Sequence, residues 1–151
     1  MSEQPILQVQ LLDDTATVPH YAHLTDSGLD VHLAADVTLP PWTTIKCPLR
    51  FKMSLPVLPP PFQAEIQVRP RSGVSLNSRV RIANAPGTID AGYQGEVCLL
   101  LDNLSHEPIP LKRNAKLAQL VVAPVVRCQV IVVEQMNGTD RGEHGFGSSG
   151  P

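Results

Sequence analysis

Apolar and polar residues alternate through Ile45, Cys47, Leu49, Phe51, Met53 and Leu55, set against Lys46, Pro48, Arg50, Lys52 and Ser54. A period of two is that of a strand with one buried face, so the pattern predicts a strand over 45–55. Pro48 falls on its polar face, and a residue without an N–H predicts an edge strand or a bulge there. Shorter alternations at Val9/Leu11, Val31/Leu33 and Ala64/Ile66/Val68 predict further strands, each closed by Asp, Pro, Gly or Ser. Val97–Leu101 and Leu117–Val133 are apolar on both faces and rich in β-branched residues, the mark of buried strands, with Pro124 expected to interrupt the second. The one helical candidate is a short stretch opening at Ser72, with Val74 and Leu76 expected to face inward. About ten or more short strands with frequent turns predict an all-β sandwich, jelly roll or barrel. Pro56–Pro61, between two strand-like segments, reads as a stiff loop rather than a polyproline ligand. From Asn137 onward Phe146 is the single large apolar residue, so the chain divides into a β domain over 1–136 and a mobile arm over 137–151.

Composition narrows the class. A chain of 151 residues suits one core and is large enough to fold without disulfides or a structural metal. Fifteen prolines, about twice the average share, argue further against an all-α fold. A net charge of −2 leaves no excess of cations for a phosphodiester backbone, so no polynucleotide partner is expected. The N-terminus has no basic and apolar leader, and no apolar run approaches the roughly 18 residues of a membrane span, so no membrane partner and a cytoplasmic location are expected. Cys47, Cys98 and Cys128 lack metal or redox spacing and read as buried small apolar residues in a reducing compartment.

The arm contains Gly145-Phe146-Gly147-Ser148-Ser149-Gly150, formally a dinucleotide-binding GxGxxG. That fingerprint needs a strand before it, a helix after it and an acidic residue about twenty positions later, whereas here the chain ends at Pro151. What remains is free backbone N–H and hydroxyl groups preceded by Arg141, chemistry that suits phosphate oxygens. Glycine, serine and charge also concentrate at Asp26-Ser27-Gly28-Leu29-Asp30, at Pro70-Arg71-Ser72-Gly73, at 87–96 and at Arg113 through Leu120. Singly, each reads as an ordinary turn.

Together and in this order, the five segments resemble the five motifs of the trimeric dUTPase family, the dUTP diphosphatases, over nearly the whole chain from Ser27 to Gly150. The most specific matches are Pro70-Arg71-Ser72-Gly73, Gly87-Thr88-Ile89-Asp90 with Tyr93 and Gly95-Glu96, and Arg141-Gly142 with Gly145 through Gly150. The resemblance implies a distorted jelly-roll, β-clip subunit that forms a homotrimer with shared active sites, and an arm that closes over dUTP. It implies hydrolysis of dUTP to dUMP and pyrophosphate, which keeps uracil out of DNA and supplies dUMP for dTMP synthesis.

The same resemblance implies residue roles. Asp90 is the base that orients and deprotonates the water attacking the α-phosphorus, and it touches the 3′-hydroxyl. Tyr93 lies under the deoxyribose and leaves no room for a 2′-hydroxyl, while the backbone of the Thr88–Ile89 hairpin, Asn84 and Cys98 meets the nucleoside. Arg71, Ser72 and Gly73 serve the phosphates, and Gln119 holds the phosphate chain or the water. Arg141, Gly147 and Ser148 bind the terminal phosphates from the arm, where Phe146 stacks on uracil. The cofactor is Mg²⁺, held mainly by phosphate oxygens and water, with Asp30 acting through water; a salt-bridged or turn aspartate is the plainer reading of that residue. The chain departs from the family pattern with Asn114 in place of a usual glycine, His144 for glycine and Ser149 for Thr. Asn can adopt the left-handed backbone, so the first is tolerable. His144 adds bulk beside the phosphate-binding tail and bears on arm closure rather than on the chemistry. Two alternatives stand beside this reading. One is the dCTP deaminase branch of the superfamily, which usually lacks this combination of Asp90, Tyr93 and Phe146. The other is a nonenzymatic or moonlighting regulatory binder of a protein partner.

Overall fold

The computed structural model describes residues 4–140, 142 and 143. Eleven strands and one short helix are present among them: β1 Gln8–Leu11, β2 Leu29–His32, β3 Val37–Leu39, β4 Thr44–Pro48, β5 Phe51–Ser54, β6 Phe62–Pro70, α1 Ser72–Asn77, β7 Val80–Ile82, β8 Gly87–Asp90, β9 Cys98–Asn103, β10 Ile109–Leu111 and β11 Lys116–Val126. All pairings are antiparallel. A four-stranded sheet in the order β2-β11-β6-β8 and a three-stranded sheet in the order β4-β9-β7 are joined by the pairs β1-β5 and β3-β10. The fold is the all-β, distorted jelly roll expected, without closure into a barrel. Phe51, Leu39, Leu49, Ile66, Leu99, Leu101 and Leu120 are fully buried at its centre, each worth about 1.5–3 kcal/mol of burial.

The alternation over 45–55 is realised, since Cys47, Leu49, Phe51, Met53 and Leu55 are all buried. It is carried by two strands rather than one. Arg50 adopts φ 62°, and Leu49 N–H donates to Val97 O while Val97 N–H donates to Phe51 O, both at 2.9 Å, so the two neighbours of Arg50 share one partner residue. The polar side chain swings out at this corner and the apolar ones stay in. β4 then pairs with β9, and β5 with β1. Pro48 ends β4 at the sheet's edge, where a missing N–H costs nothing.

Further expectations need correction, among them the burial of all three cysteines. Pro124 does not interrupt β11, which continues to Val126 in register with β6, Pro124 opposite Ala64. β2 accompanies β11 only as far as Leu120, so Pro124 has an open side on which no N–H is needed. The strand also stops short of Val133: its partner β6 begins at Phe62, opposite Val126, and beyond this Val130 and Val132 are 90% and 98% exposed. The helix forms where expected, yet Leu76 is 83% exposed, because residues two apart on a helix point in different directions and only Val74 reaches the core. Of the cysteines, Cys47 is buried, Cys98 half-buried and Cys128 exposed, the last because it follows the end of β11. Asn114 has φ 67°, the left-handed conformation for which asparagine is suited.

Among the described residues one polar side chain, that of Asn103, is fully buried in the core. Asn103, at the end of β9, donates from Nδ2 to Leu39 O at 2.9 Å and Glu107 O at 2.8 Å, and its Oδ1 accepts from Ser105 N at 2.9 Å and Ser105 Oγ at 2.7 Å. Both donors and both acceptor positions of the amide are thereby occupied.

Candidate active site

β11 runs inside the four-stranded sheet, and its Gln119 stands in register with Asp30 of β2 on one side and Arg69 of β6 on the other. β6 ends at Pro70 and α1 begins at Ser72, so Arg71, Ser72 and Gly73 leave the sheet beside Gln119. These residues, with Asp26, Gly28 and Asp30, line a polar cleft of about 450 Å³. Asp30 is buried, with Arg71 Nε at 3.3 Å from Oδ1 and Lys116 Nζ at 3.1 Å from Oδ2. Two cations therefore converge on one carboxylate, which orients the guanidinium of Arg71 at the cleft wall. Gln119 is fixed from two directions. Its Nε2 donates to Pro70 O at 3.3 Å, and its side chain passes so close to Gly28 that a Cβ there would fall 2.9 Å from Cδ and 3.0 Å from Cβ of Gln119. Only glycine admits this path.

Sequence reasoning missed Lys116 and the service Gly28 gives. Lys116 carried a signal, a cation opening a largely apolar strand, where a half-buried charge needs a partner. Behind the cleft, the His20 and His32 rings stack with centroids 5.4 Å apart, and His32 Nδ1 is buried without a partner. Burial, followed by the charge of His20, pushes the pKa of His32 below its ordinary value.

The second group lies on the hairpin after β7. β8 is the edge strand of the sheet, with Ile89 opposite the buried Ile66, Thr88 opposite Gln67 and Asp90 opposite Glu65, so Thr88 and Asp90 take the outer, exposed face. Tyr93 N–H donates to Asp90 O at 3.0 Å and closes the turn. The Tyr93 ring folds back over Gly95, where a Cβ would meet Cε2 at 2.9 Å, and its hydroxyl donates to Glu96 O at 3.0 Å. Asn84 is exposed ahead of β8, its Nδ2 3.0 Å from where a Cβ on Gly87 would stand. Cys98 opens β9 with Sγ 3.6 Å from Glu96 O, and burial pushes its thiol above the ordinary value, away from thiolate chemistry.

The structure thus brings Asp30, Arg71, Ser72, Gly73 and Gln119 together, and separately Asn84, Thr88, Ile89, Asp90, Tyr93 and Cys98. Gln119 is opposite Arg69, and Asp90 is opposite Glu65 one strand farther on, so the backbones of Gln119 and Asp90 are four residues and two strand spacings apart on one face, about 16 Å. Gln119 and Asp90 thus belong to two separate groups on the sheet. Arg141, Phe146, Gly147 and Ser148 lie outside the described residues. Among the described residues no cluster of three or more His, Cys, Asp or Glu forms a metal cage. Asp26 and Asp30 are the carboxylates lining the cleft, and each oxygen of Asp30 already faces a cation, so this residue has no free oxygen for direct ligation of a metal.

Comparison with known proteins identifies the family and the fold. The dUTPase family pattern matches residues 14–150. Deoxyuridine 5'-triphosphate nucleotidohydrolase of Gloeothece citriformis is 39% identical over 144 residues, covering 95% of this chain and 96% of that protein. The enzyme of the same name from Clostridioides difficile is 36% identical over 144 residues, covering 95% of this chain and 97% of that one. Among solved structures, a variant dUTPase of Staphylococcus bacteriophage 80alpha with dUpNHpp superposes with a TM-score of 0.85 at 28% identity, covering 97% of this chain and 99% of the other. A variant dUTPase of phage phi11 of S. aureus, described with a structural Mg(II) ion, superposes with a TM-score of 0.76 at 27% identity, covering 88% of this chain and 99% of that one.

Proposed function

The chain belongs to the dUTPase family, and on that premise we propose that it hydrolyses dUTP to dUMP and pyrophosphate by attack of water on the α-phosphorus. The observation that carries the reading is the pairing, within one hairpin, of an outward carboxylate and a clamped aromatic ring. Asp90 stands on the open face, where it can take a proton from one water, and the Tyr93 ring is immobilised by Gly95 and Glu96 O three residues on. A ring that cannot swing away makes a rigid floor beneath a deoxyribose and refuses the additional oxygen of a ribose. Asn84 and the backbone of Thr88 and Ile89 border the same surface and meet the uracil edge.

The cleft serves the triphosphate. Arg71, held at the cleft wall by Asp30, offers N–H donors to phosphate oxygens, Ser72 adds a hydroxyl and Gly73 leaves the backbone uncovered. Gln119 hydrogen-bonds the phosphate chain or the attacking water from its fixed position. Bound with the triphosphate, Mg²⁺ would offset phosphate charge, with Asp30 reaching it through water. The separation of the two groups supports completion of each site between copies of the chain, a homotrimer in which one subunit supplies the hairpin and another the cleft. The arm, residues 137–151, would then close from a subunit with Arg141, Gly147 and Ser148 on the terminal phosphates and Phe146 on the base.

The test is pyrophosphate release from each deoxynucleoside and ribonucleoside triphosphate with Mg²⁺. Release from dUTP far above UTP, dTTP and dCTP is expected, and equal inertness toward all of them would leave a regulatory binder as the better account.

A further inference from the structure

Arg50 belongs to neither half of the site, yet its surroundings connect it to one of them. It occupies the corner between β4 and β5 with φ 62°, a conformation opposed by its own Cβ. Its guanidinium spans two carboxylates remote in sequence: Nε and Nη2 each lie 2.7 Å from Asp13 Oδ2, and Nη1 lies 3.4 Å from Glu96 Oε1. The backbone N–H of Arg50 donates to the same Glu96 oxygen at 3.1 Å. The Asp13 end is itself anchored, since Thr15 donates to Oδ1 from both its N–H and its hydroxyl. Glu96 is the residue whose carbonyl accepts the Tyr93 hydroxyl. Its successor, Val97, bonds to both neighbours of Arg50. One residue thus receives the corner on its carboxylate and the aromatic ring on its carbonyl.

We propose that Arg50 is a positioning residue for sugar discrimination: by holding Glu96 through both side chain and backbone, it fixes where the Tyr93 ring lies. The proposal rests on the reading of Tyr93 as the ring beneath the deoxyribose. A partly exposed ion pair adds little to stability, and a left-handed corner favours glycine, so fold stability alone gives this position no reason to be arginine.

The decisive variant is Arg50→Gly, which keeps the corner's backbone, with its N–H on Glu96, and removes the guanidinium half of the clamp. Its melting temperature should equal or exceed that of the wild type, because glycine adopts φ 62° freely. The ratio of kcat/KM for dUTP over UTP should nevertheless fall at least about fivefold, through a higher KM for dUTP with kcat little changed. Arg50→Lys should recover part of the ratio, and combining Arg50→Gly with Glu96→Gln should cost no more than either alone, as expected of one shared interaction. Tyr93→Ala serves as the reference. If it relaxes discrimination while Arg50→Gly keeps the wild-type ratio, the clamp is overturned and the reading of Tyr93 stands. If Tyr93→Ala also leaves the ratio unchanged, the reading of Tyr93 falls and the clamp with it.

Discussion

The cleft and the hairpin hold their working side chains by different means. In the cleft, charge meets charge: Asp30, on β2 beside β11, is buried between Arg71 and Lys116. On the hairpin, position comes from shape, with the Tyr93 ring seated on Gly95 at the open edge of the sheet. A binding surface for several phosphate charges needs its own cations oriented before the ligand arrives, and a buried carboxylate does this. A surface that distinguishes one hydroxyl needs rigidity in an uncharged wall, and a missing Cβ provides the room for it.

The largest effect that would break this division is expected at Asp90. Asp90→Asn keeps the turn and the hydrogen-bonding shape but removes the base, so turnover should drop about 10²-fold or more with nucleotide affinity little changed, read by single-turnover kinetics and equilibrium binding. Activity within a few-fold of wild type would remove Asp90 from the chemistry. Next comes the arm. Deleting residues 138–151 should leave the β domain folded, by circular dichroism and sizing, and lower kcat/KM at least about tenfold. The two glycines sharpen the comparison most directly. Gly28→Ala displaces Gln119 and should raise KM about tenfold for dUTP and UTP alike, whereas Gly95→Ala displaces Tyr93 and should change their ratio. Identical behaviour of the two variants would mean that the halves do not divide the work.

The smallest effect is in pH. His32 binds its proton less readily folded than unfolded, its folded pKa lying below 6.5 because of burial. As pH falls through about 6.5 the unfolded chain takes up the proton first, so stability declines from there and levels off below the folded pKa. Thermal melts between pH 7.5 and 5 should show a shift of a few degrees that His32→Gln reduces. An unchanged pH slope would place the titrating group elsewhere.

The strands were legible because their alternation reports burial directly, as at 45–55 and at Ala64, Ile66 and Val68. What the pattern concealed were the places where the backbone changes partner. The corner at Arg50 leaves alternation intact while moving the chain from one sheet to another, and a positive φ on arginine has no compositional mark. Pro124 misled for a related reason: whether a missing N–H matters depends on which neighbours flank β11 there, and that is a fact of topology. The candidate site residues were singled out by their likeness to ordered motifs, not by local chemistry, since Asp90 and Asp30 are alike in kind and differ only in surroundings. Lys116 and Gly28 escaped notice because each acts by touching another residue.

Asn103 acts on β9 as an indexing pin. Sliding β9 by one residue would turn Leu99 and Leu101 outward, and the hydrophobic pattern already forbids it. Sliding by two would keep every apolar residue inside, so hydrophobicity alone offers little objection. Such a slip would carry the Asn103 amide, with the turn through Ser105 and Glu107 that it holds, away from Leu39 O and leave that pair unsatisfied in the core, at about 1–3 kcal/mol. The same slip would draw Cys98 and Glu96 along the sheet, and Tyr93, bonded to Glu96, would follow. An amide in the core therefore counts off the residues that decide where the hairpin emerges.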